Sequence, residues 1–483
     1  MHLELDQKGA LSAQLTRALK DAILSRRLVP GARLPATREL AGQLDLSRNT
    51  VLAAYEQLAA EGFLESRTGS GTYVAQLRLA APADAQAPAT PRAVRLAPFA
   101  ECAVAERPHR PPGPRRRRGH LRYNLEYGLP LPSPQVQSAW HRCLARAADD
   151  TSLDYPAPEG LAPLRAVVAA YLGRRRGLTV SPDDVVIVSG AQQGLDLVAR
   201  VLLRPRDAVV MEDPHYQGAR QVLRAHGARL AMAPVDDDGL VTDRLPRRGA
   251  RLVSVTPSHQ FPTGVVLSLP RRLALLEWAR RHDAWILEDD YDGEFRYDSR
   301  PLAALKSLDR DDRVLYLGTF SKVLFPALRL GYLVVPPALR EAMVAGKWLL
   351  DRGCPAIDQH ALATLIGSGQ FERLLRRAGR ELARRRGALL AGLAKHCGDY
   401  VQVVGASAGM HVCAWLPRHA PTAVPDVIAL AEQRGVGVYP IAPYFWKPIE
   451  RAGLLLGYSG LTPADLNEST RRLGAVLREI PSR

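Results

Sequence analysis

Two short polar clusters hold the residues in this sequence that are best suited to chemistry. Residues 288–292 read EDDYD and follow an apolar run at 284–287, and residues 318–322 read GTFSK and follow an apolar run at 314–317. Apolar runs of this length that end in polar residues are typical of buried strands at the carboxyl edge of a parallel sheet. We therefore expect both clusters to lie at one edge of one sheet.

Lys322 and Asp289 are the residues from which we predict the chemistry. A lysine in an enclosed site loses solvation, its pKa falls, and its amine can attack an aldehyde. Asp289 could hold the protonated pyridine nitrogen of pyridoxal phosphate, and Tyr291 could reach the phenolic oxygen of the same ring. The alternative is that both clusters are ordinary polar surface.

The composition is that of a globular chain with room for several domains. Its 483 residues are 47% hydrophobic and 24% charged, with a formal net charge of +16 that favours a polyanionic partner. We find no basic start followed by an apolar run and no apolar stretch of about 18 residues, so we expect a cytoplasmic protein with no membrane contact. The five cysteines never have CxxC spacing, which predicts neither a disulfide framework nor a metal site.

The elements that must position Lys322 and Asp289 form an alternating series from residue 123 onward. Strands are predicted at residues 185–189, 208–211, 230–233, 252–256, 284–287 and 314–317, with helices between several of them. This alternation predicts an α/β fold whose mostly parallel sheet is covered on both faces. From about residue 338 to 483 we expect a smaller α+β part, with strands near 410–415 and 436–439.

The first 75 residues show the pattern of a small helical domain with a hairpin. Helical spacing of apolar residues predicts a first helix over 11–26, and Thr37 and Ser47 are suitable caps for helices over 37–44 and 47–62. Residues 63–67 and 72–74, separated by Gly-Ser-Gly, predict the two strands of a wing. The inward residues are predicted to be Leu11, Leu15, Ala18, Leu19, Ala22, Ile23, Leu40, Ala41, Leu44, Val51, Leu52, Tyr55, Leu58 and Ala59.

Two helices joined by a short turn are the layout of a helix-turn-helix. The first turn of the third helix would present Ser47, Arg48, Asn49 and Thr50 to base edges and phosphates of double-stranded DNA. Residues 1–75 carry nine basic and eight acidic side chains, so DNA binding would depend on a locally basic face. The alternative is a small interaction module in which Arg38 and Arg48 are merely solvated.

Residues 76–120 are rich in Ala, Pro and Arg and show no sustained apolar period, which predicts a linker. Residues 76–122 carry ten basic and three acidic side chains, including the run Arg115 to Arg118. That run is either solvated or makes additional phosphate contacts. The predicted domains are thus 1–75, the linker 76–120, and 121–483, with a large part over about 121–337 and a small part over about 338–483.

Longer stretches of the sequence resemble known families. PGARLPATREL, LSRNTV and GSGTYV resemble the GntR-type winged helix, which implies DNA contacts by Arg33, Thr37, Arg38, Arg48, Thr50 and Gly71. Residues 150–335 resemble the cofactor domain of fold-type I pyridoxal phosphate enzymes. DYPAPEG, SGAQQGLDL, EDPHYQGAR, TPSHQFPTG, EDDYDGEFRY and GTFSKVLFPALRLGY, in this order, resemble the MocR/GabR-type subgroup of GntR transcriptional regulators more closely still.

This resemblance implies how pyridoxal 5'-phosphate would be held. Lys322 would bind it covalently, Asp289 and Tyr291 would contact the ring, and Tyr216 would stack on it unless it is a core tyrosine. Gly190, Ala191 and Gln192 follow a predicted strand and begin a helix, whose N–H groups can take a phosphate. Thr319 and Arg329 would complete the phosphate site, and Tyr155 would reach in from the other subunit of a head-to-tail homodimer.

The sequence departs from the family pattern at two positions. Phe261 stands where aminotransferases carry the asparagine that bonds the phenolic oxygen, so Gln260 or His259 would have to replace it. Leu455 stands where the arginine that binds an amino-acid carboxylate is expected, and the nearest arginine is Arg451. A buried carboxylate without a bidentate partner is poorly held, which counts against transamination.

We therefore expect a transcriptional regulator that is not an enzyme. Its promoter binding would respond to pyridoxal phosphate or to a small-molecule effector that reacts with it. The alternative is an active aminotransferase with an appended DNA-binding module.

Overall fold

The computed structural model describes residues 3–77, 94–106, 121–152, 154–297 and 302–482. The chain forms two compact units, Met1–Arg95 and Leu96–Arg483. Within the described residues, no helix combines the length and apolar character needed to cross a membrane. The basic run Arg115 to Arg118 lies outside the described residues.

The N-terminal unit is a winged helix. Its elements are α1 (Leu11–Leu24), α2 (Thr37–Leu44), α3 (Arg48–Ala60) and the antiparallel hairpin of β1 (Leu64–Arg67) and β2 (Gly71–Val74). The Ser47 hydroxyl accepts a hydrogen bond from the Thr50 N–H and so caps α3 as predicted. Leu15, Leu40 and Val51 are buried in a single core that joins the three helices.

Four local predictions in this unit are wrong, and one of them is Ala59, which was predicted to point inward but is exposed. Thr37 is the first residue of α2 and not its cap: the cap position is Ala36, where no side-chain hydrogen bond is made within the described chain. Leu52 is 41% exposed and Leu11 is 49% exposed, although both were predicted to point inward. Ala54 takes the buried position on α3, because a helix of 13 residues buries only one stripe and that stripe runs through Val51, Ala54 and Leu58.

The C-terminal unit begins with helices and strands that build the large part of the fold. In chain order these are α4 (Pro98–Ala105), β3 (Tyr123–Asn124), α5 (Pro134–Asp150), α6 (Ala162–Arg176), β4 (Val185–Val188), α7 (Gly190–Leu202), β5 (Ala208–Asp213), α8 (Gln217–Ala225), β6 (Arg229–Asp236), β7 (Gly239–Leu240), β8 (Ala250–Val255), α9 (Leu269–Arg281), β9 (Trp285–Asp290), β10 (Val314–Thr319) and β11 (Gly331–Val334).

In the described part of the chain, the central sheet has eight strands in the order β4-β11-β10-β9-β8-β5-β6-β7. The ladders from β10 through β9, β8 and β5 to β6 are parallel, whereas β11 runs antiparallel to both of its neighbours and β7 runs antiparallel to β6. All six predicted strands are present, and β7 and β11 are additional. The α/β prediction is confirmed. The central parallel strands β8, β9 and β10 are buried along nearly their whole length, whereas the parallel strand β6 is mostly half-buried or exposed.

The remaining elements form the smaller part. They are α10 (Arg340–Asp351), α11 (Ala356–Gly367), α12 (Gln370–Cys397), β12 (Gln402–Val404), β13 (His411–Trp415), α13 (Val424–Gln433), β14 (Val436–Gly437), β15 (Tyr439–Pro440), β16 (Gly453–Gly457) and α14 (Pro463–Glu479). The sheet β12-β13-β16-β15 is antiparallel and the long helix α12 packs along α14. The strands near 410–415 and 436–439 are confirmed; β12 and β16 were not predicted.

Helix α4 lies inside the segment predicted to be a linker. It packs against α8, and the buried Glu106 carboxylate that follows it accepts a hydrogen bond from Arg220 Nη2 at 3.0 Å and pairs with Arg224. This part of residues 76–120 is therefore ordered structure of the C-terminal unit. Helix α4 was not predicted from the sequence. It has only eight residues, all of them described, and none of them is buried, so it has no inward-facing apolar stripe to recognise.

Candidate cofactor site and DNA-reading surface

The carboxylates that end β9 point to opposite faces of the sheet, as the period of two along a strand requires. Glu288 accepts two backbone N–H bonds of 2.8 Å from the loop before β10, and Asp290 pairs with Arg176 and Tyr316. Asp289, between them, is buried on the other face. Its Oδ1 has no hydrogen-bond partner among the residues that the structure describes.

A cationic partner would therefore stabilise the buried Asp289 carboxylate. Burial, together with the Asp290 and Asp292 carboxylates, raises the pKa of Asp289 to about 7. A buried carboxylate without a partner is strongly destabilised, and a protonated ring nitrogen placed against it would remove this cost. The orphaned oxygen therefore fits the pyridine nitrogen of pyridoxal phosphate.

Lys322 follows β10, the parallel neighbour of β9, and its amine lies close enough to Asp289 for the two charges to interact. Burial lowers the pKa of Lys322, although Asp292 and Asp289 partly oppose this shift. Lys322 Nζ donates a hydrogen bond of 2.6 Å to the carbonyl of Gly128. The lowered pKa favours the neutral amine, which is the form that attacks an aldehyde.

Tyr291 is fixed by a buried pair that the sequence did not reveal. Its hydroxyl lies 3.0 Å from Nδ1 of His259, and the same nitrogen lies 2.9 Å from Asp292 Oδ2. His259 and Asp292 are almost fully buried, so this contact holds the tyrosine ring beside Asp289. His259 thereby acts through Tyr291, and Asp292 is a site residue that the spacing DYD could have suggested.

A phosphate cradle lies between α7 and the chain after β10. Gly190 begins α7 with φ +74°, and a Cβ atom there would lie 3.0 Å from the guanidinium of Arg329. Arg329 Nη2 donates a 2.8 Å hydrogen bond to the carbonyl of Ser189, which holds the guanidinium at the helix N-terminus. A cation beside the free N–H groups of a helix start is a favourable phosphate site.

The other residues predicted for the phosphate lie around this cradle. Thr319 is buried at the end of β10, and its hydroxyl accepts a hydrogen bond of 3.2 Å from the Ser321 N–H. Ala191 is half-buried in the first turn of α7. Gln192 is exposed and donates to the carbonyl of Gly218 at 3.3 Å, so its side chain ties α7 to α8.

The two predicted aromatic contacts are both accessible. Tyr216 occupies the N-cap position of α8 and is 41% exposed, which excludes a role as a core tyrosine. Tyr155 is 72% exposed, and its ring centroid lies 5.8 Å from the guanidinium carbon of Arg352. An exposed tyrosine is suited to contact another subunit, and this role stays a prediction.

Gln260 has a different role from the one predicted. Its amide nitrogen donates 2.7 Å bonds to the carbonyls of Pro214 and Phe261, and its amide oxygen accepts from Thr263. These bonds, and its nearly complete burial, use the amide to shape the loop. Gln260 is therefore not oriented to replace the asparagine that bonds the phenolic oxygen.

The positions of Phe261 and Leu455 are apolar in the folded structure. Leu455, on β16, is fully buried in a cluster with Cys413 and Tyr444, and Phe261 packs against this cluster. The guanidinium carbon of Arg451 lies 4.3 Å from the ring centroid of Trp415, and its Nη2 donates to Gln402 at 3.2 Å. The Arg451 guanidinium is thus engaged with Trp415 and Gln402.

The predicted DNA-binding residues gather at the starts of α2 and α3 and at the wing. Arg38, Arg48 and Asn49 are exposed, and Thr37 and Thr50 are half-buried. Gly71, with φ +119°, lies against the exposed Arg33: a Cβ atom there would be 3.0 Å from Arg33 Nε. The Ser47 hydroxyl is used to cap α3, which limits its availability to DNA.

Comparisons with known proteins agree with this arrangement. Residues 11–74 match the family of bacterial regulatory proteins called gntR, and residues 124–472 match aminotransferase class I and II. The chain is 36% identical to the "Probable rhizopine catabolism regulatory protein MocR" of Rhizobium meliloti, over 99% of this chain and 96% of that protein. It is 35% identical to the pyridoxine biosynthesis transcriptional regulator PdxR of Corynebacterium glutamicum, over 78% of this chain and 77% of that one.

Among solved structures, the C-terminal unit is similar to the α-aminoadipate aminotransferase LysN of Thermus thermophilus, which was crystallised with N-(5'-phosphopyridoxyl)-L-leucine. The identity is 31%, the TM-score is 0.66, and the match covers 74% of this chain and 92% of that structure. The aminotransferase fold, the winged helix and the near full-length match to a regulator lead to one conclusion. The chain belongs to the aminotransferase class I and II family over residues 124–472, and as a whole to the MocR-type GntR transcriptional regulators.

Proposed function

We propose that this regulator binds pyridoxal phosphate through Lys322 and uses the bound cofactor to sense a small molecule. The observation that carries the proposal is the orphaned, buried Asp289 carboxyl beside the Lys322 amine. A raised pKa on one group and a lowered pKa on its neighbour are typical of a site prepared for a ligand. Membership in a family of pyridoxal phosphate proteins supports the same assignment.

Each residue of the site has a defined part in this proposal. When bound, pyridoxal phosphate supplies an aldehyde that captures amines. Asp289 holds a proton at the ring nitrogen, and Tyr291, positioned by His259, contacts the phenolic oxygen. Tyr216 stacks on the ring face. Gly190, Ala191 and Arg329 bind the phosphate, with Thr319 closing the site, and Gln192 holds α7 against α8.

We infer that the site senses its ligand and does not turn it over. Productive transamination requires a cationic partner for the carboxylate of the substrate, and the expected position is occupied by the buried Leu455. Ligand binding would instead shift the balance between arrangements of the protein that differ in DNA affinity.

The proposal includes a DNA partner and a second copy of the chain. Arg33, Arg38, Arg48 and Asn49 are exposed on the winged helix, as DNA contacts must be. The exposed Tyr155 would complete the cofactor site of the other subunit in a head-to-tail homodimer. Sedimentation of the full-length protein measures the predicted dimer.

Lys322→Ala tests the cofactor assignment. The wild-type protein, loaded with pyridoxal phosphate, reduced with borohydride and digested, should give a phosphopyridoxyl group on the peptide that contains Lys322. The variant should give none, because it lacks the amine that attacks the aldehyde. Its affinity for a DNA duplex selected by the wild-type protein from a random pool should persist but lose its dependence on pyridoxal phosphate, measured by fluorescence anisotropy.

Lys395→Ala is the matched control, since Lys395 is an exposed lysine of α12. This variant should label and bind DNA as the wild type does. Labelling of another lysine in the Lys322→Ala protein would contradict the site. Steady release of a keto product from an amino acid would favour the aminotransferase alternative.

A further inference from the structure

Three aromatic rings lie close to one another beside the Lys322 site. We define the aromatic wall as Tyr127, Phe261 and Tyr444. The ring centroids of Phe261 and Tyr444 are 5.0 Å apart, and that of Tyr127 lies 6.3 Å from Phe261 and 6.2 Å from Tyr444. The hydroxyls of Tyr127 and Tyr444 are hydrogen-bonded to each other. Each tyrosine hydroxyl thereby has a hydrogen-bond partner within the aromatic wall, which presents ring surfaces to its surroundings.

The aromatic wall borders the cofactor site directly. Phe261 lies 6.0 Å from Tyr216 and 5.9 Å from Tyr291, measured between ring centroids. Tyr127 immediately precedes Gly128, whose carbonyl accepts the hydrogen bond from Lys322 Nζ. A molecule that reaches the Lys322 amine therefore lies beside these rings.

Apolar packing continues behind the wall. Leu455 is buried in the same cluster as Tyr444, with Cys413 and Ile441, and Phe261 packs against that cluster. Arg451 contacts Trp415 and Gln402. The layer behind the wall thus offers hydrocarbon at the position where a guanidinium would be needed to bind a carboxylate.

Among the described residues, the charges that shift the pKa of the Lys322 amine are the carboxylates of Asp292 and Asp289. The Glu212 carboxylate in turn raises the pKa of Asp289. The His411 ring centroid lies 5.7 Å from that of Phe261, and burial and the nearby His259 lower the pKa of His411 to about 4. His411 is therefore uncharged near neutral pH and gives a carboxylate no cationic partner.

We propose that the Lys322 site takes a primary amine that has an apolar or aromatic body and no carboxylate on the carbon next to the nitrogen. An added carboxylate would be placed against rings, hydrocarbon and other carboxylates, and would lose its hydration without compensation. An amine gains from the same surroundings, because acidic groups and ring faces both attract an ammonium group. The inference rests on the proposed function, since it concerns the ligand of the Lys322 site.

A matched pair of probes tests the inference. 2-Phenylethylamine and L-phenylalanine differ only in the α-carboxylate. Their affinities for the full-length protein loaded with pyridoxal phosphate are measured by isothermal titration calorimetry, after labelling of Lys322 has been confirmed on a reduced sample. We expect the amine to bind more tightly by about tenfold or more, because a carboxylate that loses its hydration without gaining a partner costs at least as much as an unpaired neutral polar group.

Leu455→Arg introduces a guanidinium that can pair with a carboxylate, and Phe261→Asn replaces a ring of the aromatic wall by an amide that can donate a hydrogen bond to one. Each variant should therefore strengthen the binding of L-phenylalanine relative to that of 2-phenylethylamine. Leu273→Arg, at an exposed leucine of α9, is the matched control and should leave the ratio of the two affinities unchanged. If Leu455→Arg does not fold, the inference is still tested by the relative affinities of the two probes for the wild type and for Phe261→Asn, since Phe261 is partly exposed. Equal or tighter binding of the amino acid overturns the inference, as does failure of both probes to bind the unreduced protein loaded with pyridoxal phosphate. Absence of labelling contradicts the proposed function itself.

Discussion

Three consecutive acidic residues at the end of β9 have three different surroundings. Glu288 is satisfied by backbone N–H groups and Asp290 by Arg176, on one face of the sheet, whereas Asp289 on the other face has an unpartnered oxygen in the described structure. Only the alternation of the strand separates them. Burial of Asp289 therefore lowers the stability of the protein when no cofactor is bound. Groups with perturbed pKa values of this kind are common at functional sites.

Asp289→Asn should change how the stability of the cofactor-free protein depends on pH. The unfolded carboxyl titrates near pH 4, whereas burial raises the pKa of Asp289 to about 7 in the folded chain. Between these values the folded state keeps a proton that the unfolded state loses, so the free energy of unfolding falls as the pH rises. The variant has no such carboxyl, so its stability relative to that of the wild type should increase by about 2.7 kcal/mol from pH 5 to pH 8.

Urea unfolding of the cofactor-free proteins at both pH values measures this difference. Asp237→Asn, at an exposed turn, is the control and should show no such change. The Asp289→Asn protein should also bind pyridoxal phosphate more weakly, because the ring nitrogen loses its acidic partner. A pH dependence equal to that of the wild type would contradict the buried carboxyl assignment.

Arg48→Ala should weaken DNA binding without affecting the cofactor. Arg48 is the exposed first residue of α3, where a helix-turn-helix contacts bases and phosphates. We expect a loss of about 1–3 kcal/mol in binding to the selected duplex, measured by anisotropy, with unchanged labelling of Lys322. Arg280→Ala in α9 is the matched surface control. Equal losses in both variants would mean that Arg48 acts only through general charge.

At the scale of elements, α4 is fastened chiefly by the residue that follows it. The helix has exposed or half-exposed residues throughout, whereas the Glu106 carboxylate is buried against Arg220 and Arg224. The Phe99 ring adds an edge contact with His226, at 5.6 Å between ring centroids. Both contacts are to α8 and the residue after it, and α8 begins directly after Tyr216. The chain before residue 107 is thus tied to the helix that follows the predicted stacking residue.

Glu106→Ala should release α4 from α8. The variant leaves the almost fully buried Arg220 guanidinium without its carboxylate, which costs about 3 kcal/mol unless the helix detaches. We expect faster hydrogen exchange of the backbone amides at residues 98–106, together with a lower Tm. Glu101→Ala, at an exposed position of the same helix, is the control. Unchanged exchange in the Glu106 variant would show that other contacts hold the helix.

At the scale of the whole molecule, the chain consists of two compact units with separate cores. Pyridoxal phosphate should therefore stabilise one of them selectively. At a free concentration of about 100 times its Kd, it should add about 2.7 kcal/mol to the stability of the C-terminal unit. Differential scanning calorimetry should show the larger transition move to a higher temperature and the smaller one, from the winged helix, move far less. Equal shifts of both would contradict independent unfolding of the units.

Local sequence patterns determined most of the elements and the identity of the central pair. Helix periodicity, the Ser47 cap and the Gly-Ser-Gly turn predicted the winged helix because these signals act within a few residues of the chain. Apolar runs ending in EDDYD and GTFSK predicted the sheet edge with Asp289 and Lys322 for the same reason. Family resemblance supplied Arg329 and Tyr216, which local pattern alone does not distinguish from other arginines and tyrosines.

Only the tertiary structure decided which polar groups are already satisfied. The Gln260 amide makes its hydrogen bonds to the backbone around it, and His259 and Asp292 together position Tyr291. Glu106 binds α4 to a helix more than a hundred residues away in the chain. Likewise, the aromatic wall joins Tyr127, Phe261 and Tyr444, which are far apart in the chain. Such contacts depend on which strands and helices become neighbours. No local pattern encodes them, because burial and pairing are properties of the packed chain.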